Sequence, residues 1–387
     1  MDRLAVKYVG PISSVSGYGE ANRTFIRALS EVGIDVTTQT LYYDNNKINF
    51  FGKDYEFIKT LENQPLNYDI KIIHVPCDSY IKHLEPCKYH IGHLFWETDR
   101  MSPEWAWNCN LMDEIWTGSE FNKKAFERSG VKVPIWVFPE AFDMAMLNVP
   151  FEKWEIPDHE GFLFLSIFQW IERKNPHCLI QAYLSEFGVE EKVGLVIKTY
   201  KDKFGDLERN QISEQIWQWK RDLGKIKGPP IYLNVELMEK TDVFRLYETA
   251  DCFVLPHRGE GFGRIIAEAL AMKKPVIATN LGGVHDWLTK ECYYPLSYKE
   301  VGVFGMEWAP WYRRDQKWAE VNINELRQKM RYVFEHREEA KETGVRGYKF
   351  VKDNFSYEAV GRMMKDRLND IQKMLEKRKE DGTWLKN

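Results

Sequence analysis

The pattern of hydrophobic and polar positions divides the chain into two stretches with one rhythm. In the first, apolar runs at Leu4–Val9, Ile34–Gln39, Asp69–Val75, Tyr89–Phe95, Asp113–Thr117 and Ile135–Phe138 predict strands. Helical patterns lie between some of them. A Gly/Ser loop (Pro11–Gly19) leads into a helix from about Glu20 to Glu31, with Phe25, Ile26 and Leu29 on one side, and Phe121–Ser129 is a second helix. The stretch Phe142–Gly161, with Pro150, Pro157 and mixed charges, breaks the rhythm and reads as a linker. The rhythm then restarts. Strands are predicted at Phe162–Phe168, Val193–Thr199, Ile231–Asn234, Cys252–Leu255 and Pro275–Thr279, and helices at Pro176–Glu186 and Arg264–Met272. Strand, turn, helix, strand is the signature of a parallel α/β sheet. Two such halves imply a cleft between domains, where ligands commonly bind. Near the end, Val360, Met363, Met364, Leu368, Ile371, Met374 and Leu375 form one apolar face of a helix over Tyr357–Leu375, read as core-packing rather than membrane-bound. The charged stretch Lys373–Asn387 is expected to fray. Neither an internal repeat nor a low-complexity tract is evident.

Composition narrows the function classes. At roughly 150 residues per domain, 387 residues suggest two or three domains. With 44% hydrophobic and 29% charged residues, the chain has the make-up of a soluble protein with sizeable cores. A net charge of −4 argues against binding nucleic acid through bulk positive charge, but leaves a locally basic groove, and so a nucleic-acid acceptor, open. Met1–Gly10 lacks the apolar h-region of a secretory signal. The strongest apolar stretch, Gly161–Trp170, falls short of the ~18 residues that suggest a spanning helix. A cytoplasmic location is expected, with peripheral membrane contact left open. The six cysteines include no C-x-x-C pair, so neither a disulfide framework nor a zinc knuckle is indicated. His90 and His93 form the only H-x-x-H, with no evident third ligand, and no D-x-D occurs, so no metal is expected. Aromatic residues reach 14%, with 14 Trp, 19 Tyr and 22 Phe, enough to serve both as core and as stacking faces for sugars or bases.

Four segments could carry chemistry. The strongest runs from His257 to Leu270, after a strand and into a helix. Gly261 and Gly263 let backbone N–H groups approach a ligand, and the helix N-terminus favours a phosphate. Glu260 precedes the helix and Glu268 lies within it, so the two carboxylates can address different parts of one ligand. A nucleotide sugar has that layout, with hydroxyls at both ends and a diphosphate between. A plain Gly-rich turn with Glu268 near the helix dipole is the competing reading. The second segment is Glu172-Arg173-Lys174-Asn175-Pro176, whose adjacent cations at a strand end could meet a diphosphate or simply face solvent. Lys198, at another strand end, is a third cation. The third segment, Ser16 to Asn22, holds Gly17 and Gly19 but has Asn22 where a dinucleotide fingerprint needs glycine, so an NAD site is poorly matched. The fourth is Gly92 to Trp105. Here Trp96 and Trp105 could stack on a sugar, and Glu97 or Asp99 could bind acceptor hydroxyls. An aromatic core with an Asp99–Arg100 ion pair is the alternative.

Taken in order, these segments resemble glycosyltransferase family 4, the retaining nucleotide-sugar transferases of GT-B fold. The E-x7-E pair matches as Glu260 and Glu268. The loop His257–Gly263, the following Lys274–Thr279 with Gly282-Gly283, and the basic Glu172–Pro176 continue the match. Trp96–Arg100 and Asp113–Trp116 look like a bacterial subgroup that builds surface polysaccharides. The likeness covers most of the chain and is dense from Phe162 to Asp286. It implies a GT-B architecture of two Rossmann-like parallel-sheet domains facing a cleft. Residues 1–150 would form the acceptor-binding domain and 151–355 the nucleotide-sugar domain, with 356–387 a helix crossing back to the first. It also assigns roles. Glu260 would contact the transferred sugar; Gly261, Phe262 and Gly263 the sugar and phosphate; Glu268 the ribose hydroxyls; Lys174 the diphosphate. The partner arginine is displaced, since Phe168 or Gln169 stands at its place, and Arg173 is the substitute. Gly17 and Gly19 match the loop that closes over the diphosphate, and His93 is the candidate catalytic histidine.

The expected activity is metal-independent transfer of a hexose or related sugar from a UDP- or GDP-sugar to a saccharide or glycoconjugate hydroxyl, with no cofactor beyond that co-substrate. A nucleotide-sugar epimerase on the same fold would convert the donor without an acceptor. A non-catalytic binding protein would hold the nucleotide without turnover. Base, sugar, acceptor, linkage and oligomeric state are not written in these residues.

Overall fold

The computed structural model describes residues 4–41, 52–147, 149–157, 159–202 and 204–382. Contacts divide the chain into two compact units, residues 1–144 with 353–387, and residues 145–352. In chain order the first contains β1 (Ala5–Gly10), α1 (Gly17–Glu31), β2 (Asp35–Thr40), α2 (Gly52–Lys59), β3 (Ile70–Ile73), β4 (Tyr89–His93), α3 (Pro103–Cys109), β5 (Glu114–Thr117), α4 (Glu120–Arg128) and β6 (Ile135–Val137). The six strands form one parallel sheet in the order β2-β1-β3-β4-β5-β6. Burial on both faces explains runs without alternation, such as Ile70-Lys71-Ile72-Ile73, wholly buried. Lys71 is tolerated there because its ammonium lies 2.7 Å from Glu85.

After α5 (Met144–Leu147), the second unit runs through β7 (Phe162–Gln169), α6 (Pro176–Glu186), β8 (Val193–Tyr200), α7 (Asp206–Asp222), β9 (Ile231–Asn234) and α8 (Lys240–Thr249). It continues with β10 (Cys252–Leu255), α9 (Arg264–Ala271), β11 (Val276–Thr279), α10 (Gly283–Trp287) and β12 (Tyr294–Leu296). These strands also form a parallel sheet, in the order β12-β11-β10-β7-β8-β9. An antiparallel hairpin, β13 (Tyr298–Gly302) and β14 (Lys317–Val321), follows, then α11 (Ile323–Glu335) and α12 (Arg337–Phe355), after which α13 (Tyr357–Glu380) returns to the first unit.

Two differences from the sequence pattern have physical causes. Helix α1 begins at Gly17, inside the expected Gly/Ser loop, because the Ser16 hydroxyl accepts from the Gly19 N–H at 3.2 Å and caps the first turn. Helix α13 does not fray where its charged tail begins but continues to Glu380. Leu375 is buried, and the Lys379 ammonium lies 2.7 Å from Asp69. The end of the predicted fraying stretch, 383–387, lies outside the described residues.

The apolar face of α13 is core, as its periodicity suggested, except that Met363, one position before the buried Met364, turns outward and is 39% exposed. Val360, Met364, Leu368, Ile371 and Leu375 share one cluster with Phe25, Ile26, Ala28 and Leu29 of α1. Among the described residues no helix is long and apolar enough to cross a membrane. Gly361 lets the two helices approach: a Cβ there would lie 2.3 Å from the Ala28 carbonyl oxygen, a backbone atom that cannot swing aside. Gly361→Val is therefore expected to destabilise the first unit by about 1–3 kcal/mol, read as a lower midpoint in chemical denaturation.

Candidate active site

In the second unit the site is built at the carboxyl ends of adjacent parallel strands, where open α/β sheets bind ligands. Past the end of β7, residues Glu172–Lys174 make one 3₁₀ turn. Asn175 ends it in the left-handed region (φ 59°), a conformation asparagine tolerates better than most residues, and Pro176 starts α6. Past the end of β10, the loop His257–Gly263 comes against that turn. The Lys174 ammonium donates to Glu260 Oε1, and Arg173 Nη1 lies 3.6 Å from the same oxygen while donating to the Gly259 carbonyl at 2.8 Å. Burial pushes the Glu260 carboxyl up, but Lys174 and then Arg173 pull harder and hold it at about 2. Glu260 is thus a buried carboxylate locked between two cations.

The glycines around it act through space as well as freedom. The Gly283 N–H donates to the Glu260 carbonyl at 3.2 Å, and a Cβ on Gly282 (φ 79°) would lie 2.1 Å from that oxygen. Gly263 takes φ 92° where α9 begins. One turn into α9, Glu268 is buried and lies 3.2 Å from Arg264 Nε; the Tyr247 hydroxyl is 3.4 Å from its other oxygen. Phe262 is buried. Lys198, on β8 beside β7, is buried with its ammonium 5.4 Å from the Phe204 ring centre; burial lowers it to about 8 despite Glu236. His257 is also buried, and neither ring nitrogen has a hydrogen-bond partner among the described residues. Burial lowers it to about 3, with Glu260 opposing.

In the first unit, Gly17 and Gly19 lie in the first turn of α1. A Cβ at Gly19 would meet the Ser14 carbonyl oxygen at 2.1 Å, whereas Gly17 faces open space. His93, at the end of β4, is buried and stacked on His74 with ring centres 4.1 Å apart. Its nitrogens have no hydrogen-bond partner among the described residues, and burial lowers it to about 3, so it is a neutral imidazole. Tyr18, between the two glycines, has its ring 5.5 Å from His74, which joins the loop to the histidine pair. Glu97 is half-buried and its charge is felt by the Tyr18 hydroxyl. His90 lies on the opposite face of β4 from His93, as residues three apart on a strand must, and accepts from the Glu85 N–H at 2.9 Å. Among the described residues no three His, Cys, Asp or Glu side chains are grouped so as to hold a metal ion.

One expected acceptor contact is corrected. Trp96 is 1% exposed, and its indole N–H donates to Thr98 Oγ1 at 2.7 Å and to the Arg100 carbonyl at 2.8 Å, so it presents no face to a sugar. It belongs to the core and packs on Trp105, whose ring centre is 4.9 Å away. Asp99 is buried and accepts from Arg100 Nε at 2.9 Å, the ion pair that was the alternative reading. Two residues escaped the sequence pattern: Tyr247, against Glu268, and Arg258, which joins three segments near Glu260. The i, i+4 spacing already puts Arg264 on the helix face of Glu268, whereas Tyr247 and Arg258 meet their partners only in the folded chain.

Residues 162–294, from β7 to the start of β12, match the family model described as glycosyl transferases group 1. Compared by sequence with curated proteins, the chain matches none. Among solved structures, sucrose-phosphate synthase from Thermosynechococcus elongatus is similar with a TM-score of 0.67 at 14% identity, over 96% of this chain and 100% of that one. Anabaena HepE, solved in complex with UDP and glucose, has a TM-score of 0.66 at 12% identity, over 95% and 100%. A trehalose-6-phosphate structure from E. coli, bound with UDP-2-fluoro glucose, has 0.62 at 11% identity, over 94% and 98%. At these identities the likeness concerns the fold: the chain has the two-domain α/β GT-B architecture. Together with the group 1 domain, this supports a glycosyltransferase.

Proposed function

We propose that the protein transfers a sugar from a nucleoside-diphosphate sugar to an acceptor hydroxyl, with retention at the anomeric carbon, in glycan or glycoconjugate synthesis. The observation that carries this reading is the Glu260 carboxylate held by Lys174 and Arg173 beside the Gly261-Phe262-Gly263 loop, with Glu268 one helical turn into α9. The bond from the sugar's C1 to the diphosphate oxygen breaks, the acceptor oxygen bonds to C1 on the same face, and the acceptor proton passes to the departing phosphate. Negative charge grows on the leaving group, where cations and backbone N–H groups can stabilise it. Lys174 and Arg173 supply that charge, Glu260 orients the sugar hydroxyls, Glu268 holds the ribose, and Gly17 and Gly19 close over the diphosphate. Glu97 and Asp99 are the acceptor-binding candidates, and His93 is the candidate catalytic histidine.

UDP is the first probe because HepE and the trehalose-6-phosphate structure were solved with UDP ligands; GDP is the second. A thermal-shift screen of nucleoside diphosphates and their sugars, followed by donor hydrolysis in EDTA, tests the reading. Binding of one nucleotide and turnover in EDTA are expected; strict dependence on added Mg²⁺ or Mn²⁺ would overturn the cation-based mechanism. Glu268→Ala removes a charged acceptor of hydroxyl hydrogen bonds and is expected to weaken nucleotide binding about tenfold or more, measured by calorimetry. Unchanged affinity would remove Glu268 from the site.

A further inference from the structure

We propose that Arg258 is a positioning residue for the Arg173–Lys174–Glu260 cluster and that the β13–β14 hairpin is the buttress through which it acts. The idea rests on the functional reading above for its kinetic consequence, but its structural content stands apart. Arg258 is 5% exposed, and a guanidinium so placed must be both paired and hydrogen-bonded. Its Nη1 lies 2.8 Å from Glu172 Oε1 and donates to the Glu172 carbonyl at 2.7 Å. Its Nε donates to Glu320 Oε2 at 2.9 Å, on β14. The guanidinium carbon lies 4.8 Å from the Phe304 ring centre and 5.7 Å from that of Trp318. The backbone adds two ties: the Arg258 N–H donates to the Arg173 carbonyl at 2.7 Å, and the Ala319 N–H donates to the Arg258 carbonyl at 2.8 Å.

One residue thus joins the turn that carries Arg173 and Lys174, the loop that carries Glu260, and the hairpin. The hairpin is itself fixed against the turn. Val303, Met306, Ala309 and Trp318 form a small core with Ile171 packed on it, directly before Glu172. A Cβ at Gly305 would meet Glu172 Cγ at 2.8 Å, so the hairpin's connecting loop lies against the same glutamate. The hairpin falls beyond the span that matches the family model, so this support comes from a segment outside it. A diphosphate-binding lysine must be placed within fractions of an ångström to act on a leaving group. The 3₁₀ turn is three residues long and is closed by backbone bonds from Lys174 N–H to Ile171 and from Asn175 N–H to Glu172. Arg258 adds ties to this short element from the loop and the hairpin.

The test uses Arg258→Met and Arg258→Lys in the full chain. Methionine keeps apolar bulk between Phe304 and Trp318 but loses the forked donors. Glu172 and Glu320 are each about a third exposed, so both carboxylates can rehydrate and the fold is expected to survive. Hydrogen exchange by mass spectrometry needs no nucleotide. The amides of Lys174 and Asn175 are expected to exchange at least tenfold faster in the Met variant, with those of α6 unchanged and the Lys variant in between. In hydrolysis of the UDP- or GDP-sugar that the wild type accepts, the Met variant is expected to lose at least tenfold in kcat with KM within twofold. Adding Lys174→Ala to it should then cost less than threefold further. A general loosening would instead raise KM, and two independent losses would multiply. Wild-type exchange in the turn, full kcat in a folded Met variant, or multiplicative losses would each overturn the proposal. If the wild type hydrolyses neither sugar, the glycosyltransfer reading fails, while the exchange rates still decide whether Arg258 holds the turn.

Discussion

Lys174→Ala is expected to lower turnover by about 10²–10³-fold, the range found when one preorganised donor to a developing negative charge is removed. Donor affinity should change much less, because Glu268 and the α9 N-terminus remain in place. The size of the effect follows from the burial of Lys174: in a site from which water is largely excluded, its charge cannot be replaced by solvent. The loss should appear in single-turnover rates with enzyme in excess over donor. Arg173, 3.6 Å from Glu260 in the wild type, is untouched by the substitution, so the carboxylate is expected to keep one cation and the loop its place. Full activity would remove the turn from the reaction, and loss of folding, checked by circular dichroism, would move Lys174 from a chemical to a structural role.

The second large effect concerns stability. Arg367→Met is expected to destabilise the first unit by about 3–5 kcal/mol, the range for breaking a buried ion pair by removing one partner. Glu114 on β5 is 0% exposed. Arg367 Nε on α13 donates to it at 3.1 Å, the Trp116 indole at 2.7 Å and the Tyr89 hydroxyl at 3.0 Å. Without the guanidinium, two neutral donors are left to hold a full buried charge. Urea denaturation should show the loss, and adding Glu114→Gln should recover much of it, since the stranded charge is then gone. A single variant within about 1 kcal/mol of wild type would show that water reaches Glu114.

Much of the strand pattern was legible because a parallel sheet covered on both faces writes itself as short apolar runs. Phe162–Phe168, Ile231–Asn234 and Cys252–Leu255 needed no tertiary information to be recognised as strands. Helices with a narrow apolar stripe were not legible. Asp206–Asp222 buries Ile212 and Ile216 along seventeen mostly polar residues, and no local pattern marked it. The hairpin after β12 was missed for a similar reason: its aromatic residues pack on Ile171 and Arg258, which lie far back in the chain.

The candidate site was legible in part. Gly261, Gly263, Glu260 and Glu268 stand out because a glycine-rich loop between a strand and a helix is a local feature. Trp96 misled, because an aromatic residue among polar neighbours reads the same whether its ring faces solvent or the core.

Periodicity along the chain therefore decided that there are two parallel α/β halves and where each main loop falls, since those depend on neighbours a few residues apart. Folding decided the rest. Glu260 meets Lys174 across 86 residues of sequence, the Trp96 backbone N–H donates to Asn122 Oδ1 across 26, and Arg258 finds carboxylates on two segments it does not adjoin. Burial and charge pairing belong to residues that are distant in sequence and adjacent in space, and so only the tertiary structure could assign them.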